Sequence, residues 1–376
     1  MQYRRFGRTG LELSVFSLGT MRGLTSLAQF TTTVDTAIAN GINHLETARG
    51  YGDSEEYLGK ALRSLNISRE QVVLTSKFLP VADASVYQFW LEESLARLQC
   101  DYLDCVAIHG LNTSEHLAWS LRSGGCMDVL QKFVAQGKIR HLGFSSHGSL
   151  ELIQTVIASG RFEFVNLHYY YFFQRHAAAL AQAAAADMGI FIISPTDKGG
   201  QLFAPSAKLQ ALTDPLSPQA FNYRFLLAEP RITTLSLGAS RPDELTAAFN
   251  LCDRVEPFTA TEQRIQKRLQ ASAIDSLGTS HCHQCYACLP CPEDINIPEV
   301  LRLRNLDQAY DLTSFGKYRY AMFENAGHWF PGRRADRCND CGDCLPRCPH
   351  ELNIPELLRA THERLQGPRR RRLWEE

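Results

Sequence analysis

Gly41-Ile-Asn-His-Leu-Glu46-Thr-Ala-Arg-Gly-Tyr51-Gly-Asp-Ser-Glu55 carries the chain from a strand through a polar loop into a helix. Asn43–Thr47 reads as a strand, the glycines around Tyr51 as its turn, and Glu55–Leu65 as an amphipathic helix. The same unit recurs on both sides. Further strands are read at Val15–Gly19, Val72–Lys77, Cys105–His109, Ile139–Ser145, Phe164–Tyr169, Ile190–Ser194 and Thr234–Gly238, with helices such as Thr31–Asn40, Ser85–Leu98 and Ser149–Ala158 between them. Eight strand–helix units in about 250 residues predict a (β/α)8 barrel. Tyr3–Leu13 reads as a hairpin turning at Gly7–Gly10 ahead of the first strand. No Gly-x-Gly-x-x-Gly follows that strand, which argues against a Rossmann domain.

In such a barrel, polar residues at the C-terminal ends of strands are the catalytic candidates. Glu46 ends the second strand, Tyr51 lies in the loop behind it, Lys77 ends the third and His109 the fourth. An acid, a phenol, an amine and an imidazole are thus expected at one mouth.

Beyond residue 255 the pattern changes. Cys282, Cys285, Cys288 and Cys291 form one tight run and Cys338, Cys341, Cys344 and Cys348 another, each ending in Cys-Pro. Three thiolates spaced this way fold around one cuboidal cluster, while the fourth reaches the other cluster, so the runs predict two [4Fe–4S] clusters. The first run is one residue shorter than the usual spacing, which leaves the partner of Cys291 open. A zinc ribbon needs a long spacer between two knuckles, and disulfides fit poorly where no secretory segment is read. Cys291–Arg302 and Cys348–Arg359 also repeat one another, and Asn-Ile-Pro-Glu in each reads as a capped helix start. This half resembles the α-helical two-cluster ferredoxin domains of multi-subunit reductases, over roughly residues 258–366. The expected organisation is a barrel over 1–255, an iron–sulfur domain over 256–366, and a tail over 367–376.

The 376 residues carry a formal charge of −1, which gives no general affinity for nucleic acid. No apolar run approaches the roughly 20 residues that span a bilayer, and a cytoplasmic location is expected. Arg369–Arg372 is the one strong charge block, either a solvated terminus or a docking patch for an acidic electron carrier. Cys100, Cys105, Cys126 and Cys252 read as buried free thiols.

Gly41–Glu55, Leu74-Thr-Ser-Lys77, Asp101–Gly110, Arg5–Leu11 and Gly143-Phe-Ser-Ser146 together resemble the aldo-keto reductases over residues 1 to about 255. With the cysteine tail, the chain resembles a bacterial subgroup of that family with a C-terminal iron–sulfur domain. The resemblance implies hydride transfer from a nicotinamide cofactor, usually NADPH, to a small carbonyl substrate. Tyr51 would be the proton donor, Lys77 would lower its pKa, an acid would orient the lysine, and His109 would hold the carbonyl oxygen. The family's usual aspartate is Glu46 here, one methylene longer. A catalytic group misplaced by about 1 Å lowers rate roughly 10²-fold, so either the backbone recedes or reductase activity is weak. Ser145 and Ser146 stand where the family holds the carboxamide with Ser-Asn, and Asn166 replaces its glutamine. Ser194 and the glycines after it could cradle a phosphate, and Gly238, Ser240 and Arg241 could bind the adenosine 2′-phosphate.

Nicotinamide passes two electrons together, whereas each cluster passes one, and no flavin fingerprint bridges them. Three readings stay open: an NADPH-dependent carbonyl reductase whose clusters serve structure, sensing or docking; a stepwise reductase fed by a ferredoxin-like partner; and an electron-transfer subunit on a non-catalytic barrel.

Overall fold

The computed structural model describes residues 1–368, so the Arg369–Arg372 patch lies outside the described residues. The chain divides into two compact units, residues 1–199 with 222–257, and residues 200–221 with 258 onward.

In the first unit, β1 (Tyr3–Arg5) and β2 (Glu12–Ser14) form an antiparallel hairpin. Eight parallel strands then close a barrel: β3 (Phe16–Gly19), β4 (His44–Glu46), β5 (Val73–Phe78), β6 (Leu103–Ile108), β7 (Ile139–Ser145), β8 (Phe164–Leu167), β9 (Gly189–Ile192) and β10 (Thr234–Leu237). Apart from the start of β5 and Arg140 and His141 on β7, they are buried along their length because helices cover the outer faces. These helices are α1 (Leu27–Ala39), α2 (Ser54–Ser64), α3 (Val86–Leu98), α4 (Ser114–Leu121), α5 (Cys126–Ala135), α6 (Leu150–Ala158) and α7 (Ala177–Ala185). Their starts follow local chemistry: Ser26, Thr113 and Ser149 each accept a backbone N–H three residues on.

The hairpin plugs one end of the barrel. Phe6 and Leu13 cluster with Cys105, Ala107, Phe164 and Phe191, each buried large side chain contributing about 1.5–3 kcal/mol. The C-terminal mouth is thereby left as the place for chemistry. Between plug and mouth runs a polar layer: Ser17 Oγ meets His44 Nδ1 at 2.7 Å, and His44 Nε2 meets Thr75 Oγ1 at 2.8 Å. Burial, then the Lys77 charge, pushes His44 down to about 3, so this imidazole is neutral at working pH.

The break expected at 255/256 is displaced in one respect. Residues 200–221, read as part of the barrel, group with the second unit. They carry α8 (Ala207–Thr213) and the first turn of α9 (Pro218–Leu227), and α10 (Thr246–Phe249) follows β10. An amphipathic seven-residue helix does not reveal from its sequence which partner it packs on.

The second unit is helical: α11 (Ala260–Leu277), α12 (Ile297–Tyr310), α13 (Thr313–Tyr320) and α14 (Ile354–Leu365). Helix α12 is its axis, buried on almost every residue and packed on α11, α13 and α14. Its charges are paired inside: Arg302 bonds Glu299 twice, at 2.6 and 2.9 Å, and Asp307 accepts from Thr313 at 2.6 Å and from Arg364. Asn296 caps α12 by accepting the Glu299 N–H at 3.3 Å. At the repeated start of α14, Asn353 instead donates its amide to Glu356 at 2.7 Å. The cysteine runs lie in irregular segments between these helices. Among the described residues, no helix is long and apolar enough to cross a membrane.

Candidate active site and cluster ligands

Parallel register sets Glu46 beside Thr75 on β5, and Lys77 lies two residues further toward the mouth. From there the Lys77 ammonium has three partners, one for each proton: the Glu46 carboxylate, the Thr47 carbonyl at 2.8 Å and the Tyr51 hydroxyl oxygen at 3.3 Å. The longer acid therefore still reaches the lysine. Burial works against the Lys77 charge, but the Glu46 carboxylate and then Tyr51 outweigh it and hold its pKa above the ordinary lysine value. The His109 ring stands edge-on to Tyr51, with centroids 5.4 Å apart. Lys77 and Glu46 are buried, whereas Tyr51 and His109 are half-buried at the rim. Glu46, Tyr51, Lys77 and His109 are thus together at one mouth.

Ser145, Ser146 and Asn166 sit at the ends of β7 and β8, with Ser145 paired to Asn166. Their side chains differ in what they can still do. Ser146 Oγ donates to Leu111 O at 2.7 Å and accepts from Gly148 N–H at 3.0 Å, so it stitches two loops. Ser145 Oγ accepts from Gly110 N–H at 2.9 Å and retains its proton as a donor. Asn166 is fully buried, and neither Oδ1 nor Nδ2 has a hydrogen-bond partner among the described residues. An unsatisfied buried amide costs about 1–3 kcal/mol, and both of its groups are open to a polar partner.

Beyond the end of β9, the strand next to β8, Ser194 adopts φ +53° and its carbonyl accepts from Lys198 N–H at 3.1 Å. Ser240 and Arg241 both have acidic partners in the turn that follows them. Ser240 N–H donates to the Glu244 carboxylate at 2.8 Å, and exposed Arg241 pairs with Asp243 at 3.1 Å and Glu244 at 3.7 Å. A cation the sequence did not single out is Arg22, which pairs with Asp197 at 3.1 Å and lies against Gly238. Its signal was its place two residues past Thr20 at the end of the first strand.

The aromatic run after β8 has two parts. Tyr169 and Tyr171 pack on Phe225. His168 Nδ1 bonds the Tyr170 hydroxyl, and His168 Nε2 lies 3.3 Å from His147 Nε2. Only tertiary structure brings His147 to His168.

In the second unit, the eight thiols ring two hollows. Cys282, Cys285 and Cys288 share the first with Cys348. Cys338, Cys341 and Cys344 share the second with Cys291. The fourth thiol at each hollow therefore comes from the other run, and the shorter first run does not prevent that approach. Among the described residues no three His, Cys, Asp or Glu groups close on a single metal ion; four thiols around a wider hollow suit a cuboidal cluster. Burial pushes Cys288 up to about 12 and raises Cys282 and Cys344, a cost that a cationic metal core would reverse by taking the thiolates. Of the other thiols, Cys105, Cys126 and Cys252 are buried, whereas Cys100 is partly exposed, contrary to expectation.

The profile of the aldo/keto reductase family matches residues 16–204, and that of the 4Fe-4S dicluster domain residues 281–353. The chain is 28% identical over 232 residues to the uncharacterized oxidoreductase YrpG of Bacillus subtilis, covering 55% of this chain and 69% of that one. To YqkF, another uncharacterized oxidoreductase of Bacillus subtilis, it is 22% identical over 317 residues, covering 75% and 99%. The holo form of an aldo-keto reductase from Bacillus halodurans superposes with a TM-score of 0.62 at 21% identity, covering 71% of this chain and 96% of that one, a likeness of fold.

Proposed function

Because the chain belongs to the aldo/keto reductase family, we propose that its oxidoreductase chemistry is reduction of a small carbonyl compound by a nicotinamide dinucleotide, with Tyr51 giving the proton. The observation that carries this reading is the lysine with its three partners. Lys77 stays charged because Glu46 faces it, and its third proton goes to the Tyr51 oxygen. An ammonium there favours the phenolate, so the phenol becomes a better acid than its free value near 10 allows. The substrate oxygen would sit against Tyr51 and His109, receiving a hydrogen bond from the imidazole and the proton from the phenol. The dinucleotide, when bound, supplies the hydride to the carbonyl carbon, so that C=O becomes CH–OH.

The residues present fit such a group. Asn166 and Ser145 would hold its carboxamide, and the Asn166 amide is unsatisfied without a ligand. Ser194, Gly238 and Arg22 would face its phosphates. NADPH, the family's usual donor, would bring its 2′-phosphate to Ser240 and Arg241, where Asp243 and Glu244 already compete. The second unit would hold two [4Fe–4S] clusters on the thiol sets above. Reduced thiols and intact clusters suit a cytoplasmic location.

Oxygen-free protein titrated with NADPH tests the reading. Tyr51→Phe should abolish carbonyl turnover while iron content and dinucleotide binding persist. Turnover that requires a reduced one-electron donor would favour a ferredoxin-like partner instead, and reducible clusters with neither activity would leave an electron-transfer protein.

A further inference from the structure

The loop after β9 is split between the two units. Ser194–Gly199 stays with the barrel, residues 200–221 group with the cluster-bearing helices, and Asn222 returns to the barrel. Gly200 makes the joint at φ +131°, a backbone state that other residues rarely adopt. The base of the excursion is pinned shut. Buried Asn222 donates its amide to Pro195 O at 3.1 Å and accepts from Tyr171 N–H at 3.0 Å. Residues 200–221 thus leave and rejoin the barrel unit at two adjacent points of the chain.

What holds them is the C-terminal end of α12. The last carbonyls of a helix have no partner within it. Ser206 Oγ donates to Tyr310 O at 2.6 Å, and Lys208 Nζ donates to Gln308 O at 3.1 Å and lies 3.3 Å from Ser276 Oγ. Arg268 of α11 bonds Asp214 O. At its other end, α12 is built against the thiol hollows. Pro298 and Leu301 line the Cys282 set, and Ile297 lines the Cys338 set. One helix of 14 residues, about 20 Å long, thus has cluster ligands at its start and the barrel's excursion at its end. Helix α8 has seven residues, too few to be stable alone in water. Its order must come from this packing.

We propose that the cluster-bearing unit positions the active-site loop: cluster assembly orders α12, α12 holds Ser206 and Lys208, and these set the conformation of Ser194–Gly199 and with it dinucleotide affinity. The proposal rests on the cluster and dinucleotide readings above. The energetic logic is that of metal-dependent folding, in which metal binding supplies free energy to irregular ligand segments that cannot order themselves. Ser206, Lys208 and Asn222 are positioning residues, and none of them touches the reacting atoms. Clusters in this role need not exchange electrons with the barrel, which removes the mismatch between one- and two-electron carriers.

Hydrogen exchange by mass spectrometry on the full chain, with clusters and after anaerobic removal of iron by a chelator, tests this. Segment 194–213 should exchange about tenfold faster or more without clusters, while β5–β7 keep their protection. NADPH affinity, read by fluorescence quenching, should fall alongside. Should iron removal also expose the barrel strands, the decision passes to Ser206→Ala/Lys208→Ala in cluster-loaded protein. That variant should keep its iron yet show the faster exchange, and Ser206→Thr, which retains the hydroxyl, should behave as the parent. Unchanged exchange at 194–213 in the double variant, or in iron-free protein with an intact barrel, overturns the proposal. If no form binds NADPH, the dinucleotide reading fails, and the exchange data still decide whether the unit orders the loop.

Discussion

Replacing Lys77 with methionine removes the ammonium and keeps most of the side chain's volume. At the 3.3 Å separation from the Tyr51 oxygen, an effective dielectric of about 20 gives the charge about 5 kcal/mol of interaction with a fully formed phenolate. Proton transfer is incomplete in the transition state. If half that interaction is expressed, the barrier rises by about 2.5 kcal/mol, near a hundredfold in rate, and full expression approaches roughly 10⁴. The expected loss in kcat for Lys77→Met lies between these limits, with dinucleotide affinity changed much less, because the lysine touches the acid and not the carboxamide residues. Glu46 is left buried without its partner, so the single variant should also melt lower. The double variant Glu46→Gln/Lys77→Met should recover much of the melting temperature and none of the rate. Steady-state kinetics and thermal melts of oxygen-free protein read both quantities. A single variant with kcat within about threefold of the parent would refute the role given to the lysine.

Other perturbations address separate parts of the account. Because the folded-state pKa of Lys77 is raised, its stabilising contribution is full below the ordinary lysine value of 10.5 and is lost as pH climbs through the higher folded value; urea melts at alkaline pH should show this loss in the parent and not in Glu46→Gln/Lys77→Met. Asn166→Ala should weaken NADPH binding about tenfold while leaving the melting temperature unchanged or higher, since the unsatisfied amide costs about 1–3 kcal/mol; calorimetric titration and melts check the pair of signs. Cys348→Ser should damage the cluster held by Cys282, Cys285 and Cys288, and Cys291→Ser the one held by Cys338, Cys341 and Cys344. Each should leave about half of roughly eight irons, with different residual electron paramagnetic resonance spectra.

Much of this arrangement is legible in the sequence. Strand ends carry both hydrogen-bond register and chemistry in a barrel, so Glu46, Tyr51, Lys77 and His109 could be placed from order and spacing. Cysteine spacing is likewise local and states its cluster chemistry directly. The unreadable parts depend on which surfaces meet. The partner of Cys291 lies in the other run, and nothing in its own run names it. The pairing of His147 with His168 requires two loops to approach. The competition at Ser240 and Arg241 arises from Asp243 and Glu244 folding back over a short turn. The transfer of residues 200–221 to the helical unit follows from packing, which local periodicity does not encode.

The most direct measurement is deuterium transfer from the nicotinamide ring. Oxygen-free protein is supplied with dinucleotide deuterated at the transferable position and a panel of small aldehydes and ketones, and the products are read by mass spectrometry. The account predicts deuterium on the former carbonyl carbon of at least one product, absent in Tyr51→Phe at equal iron content. Deuterium transfer that survives in Tyr51→Phe, or reduction that places no deuterium on carbon, would contradict it.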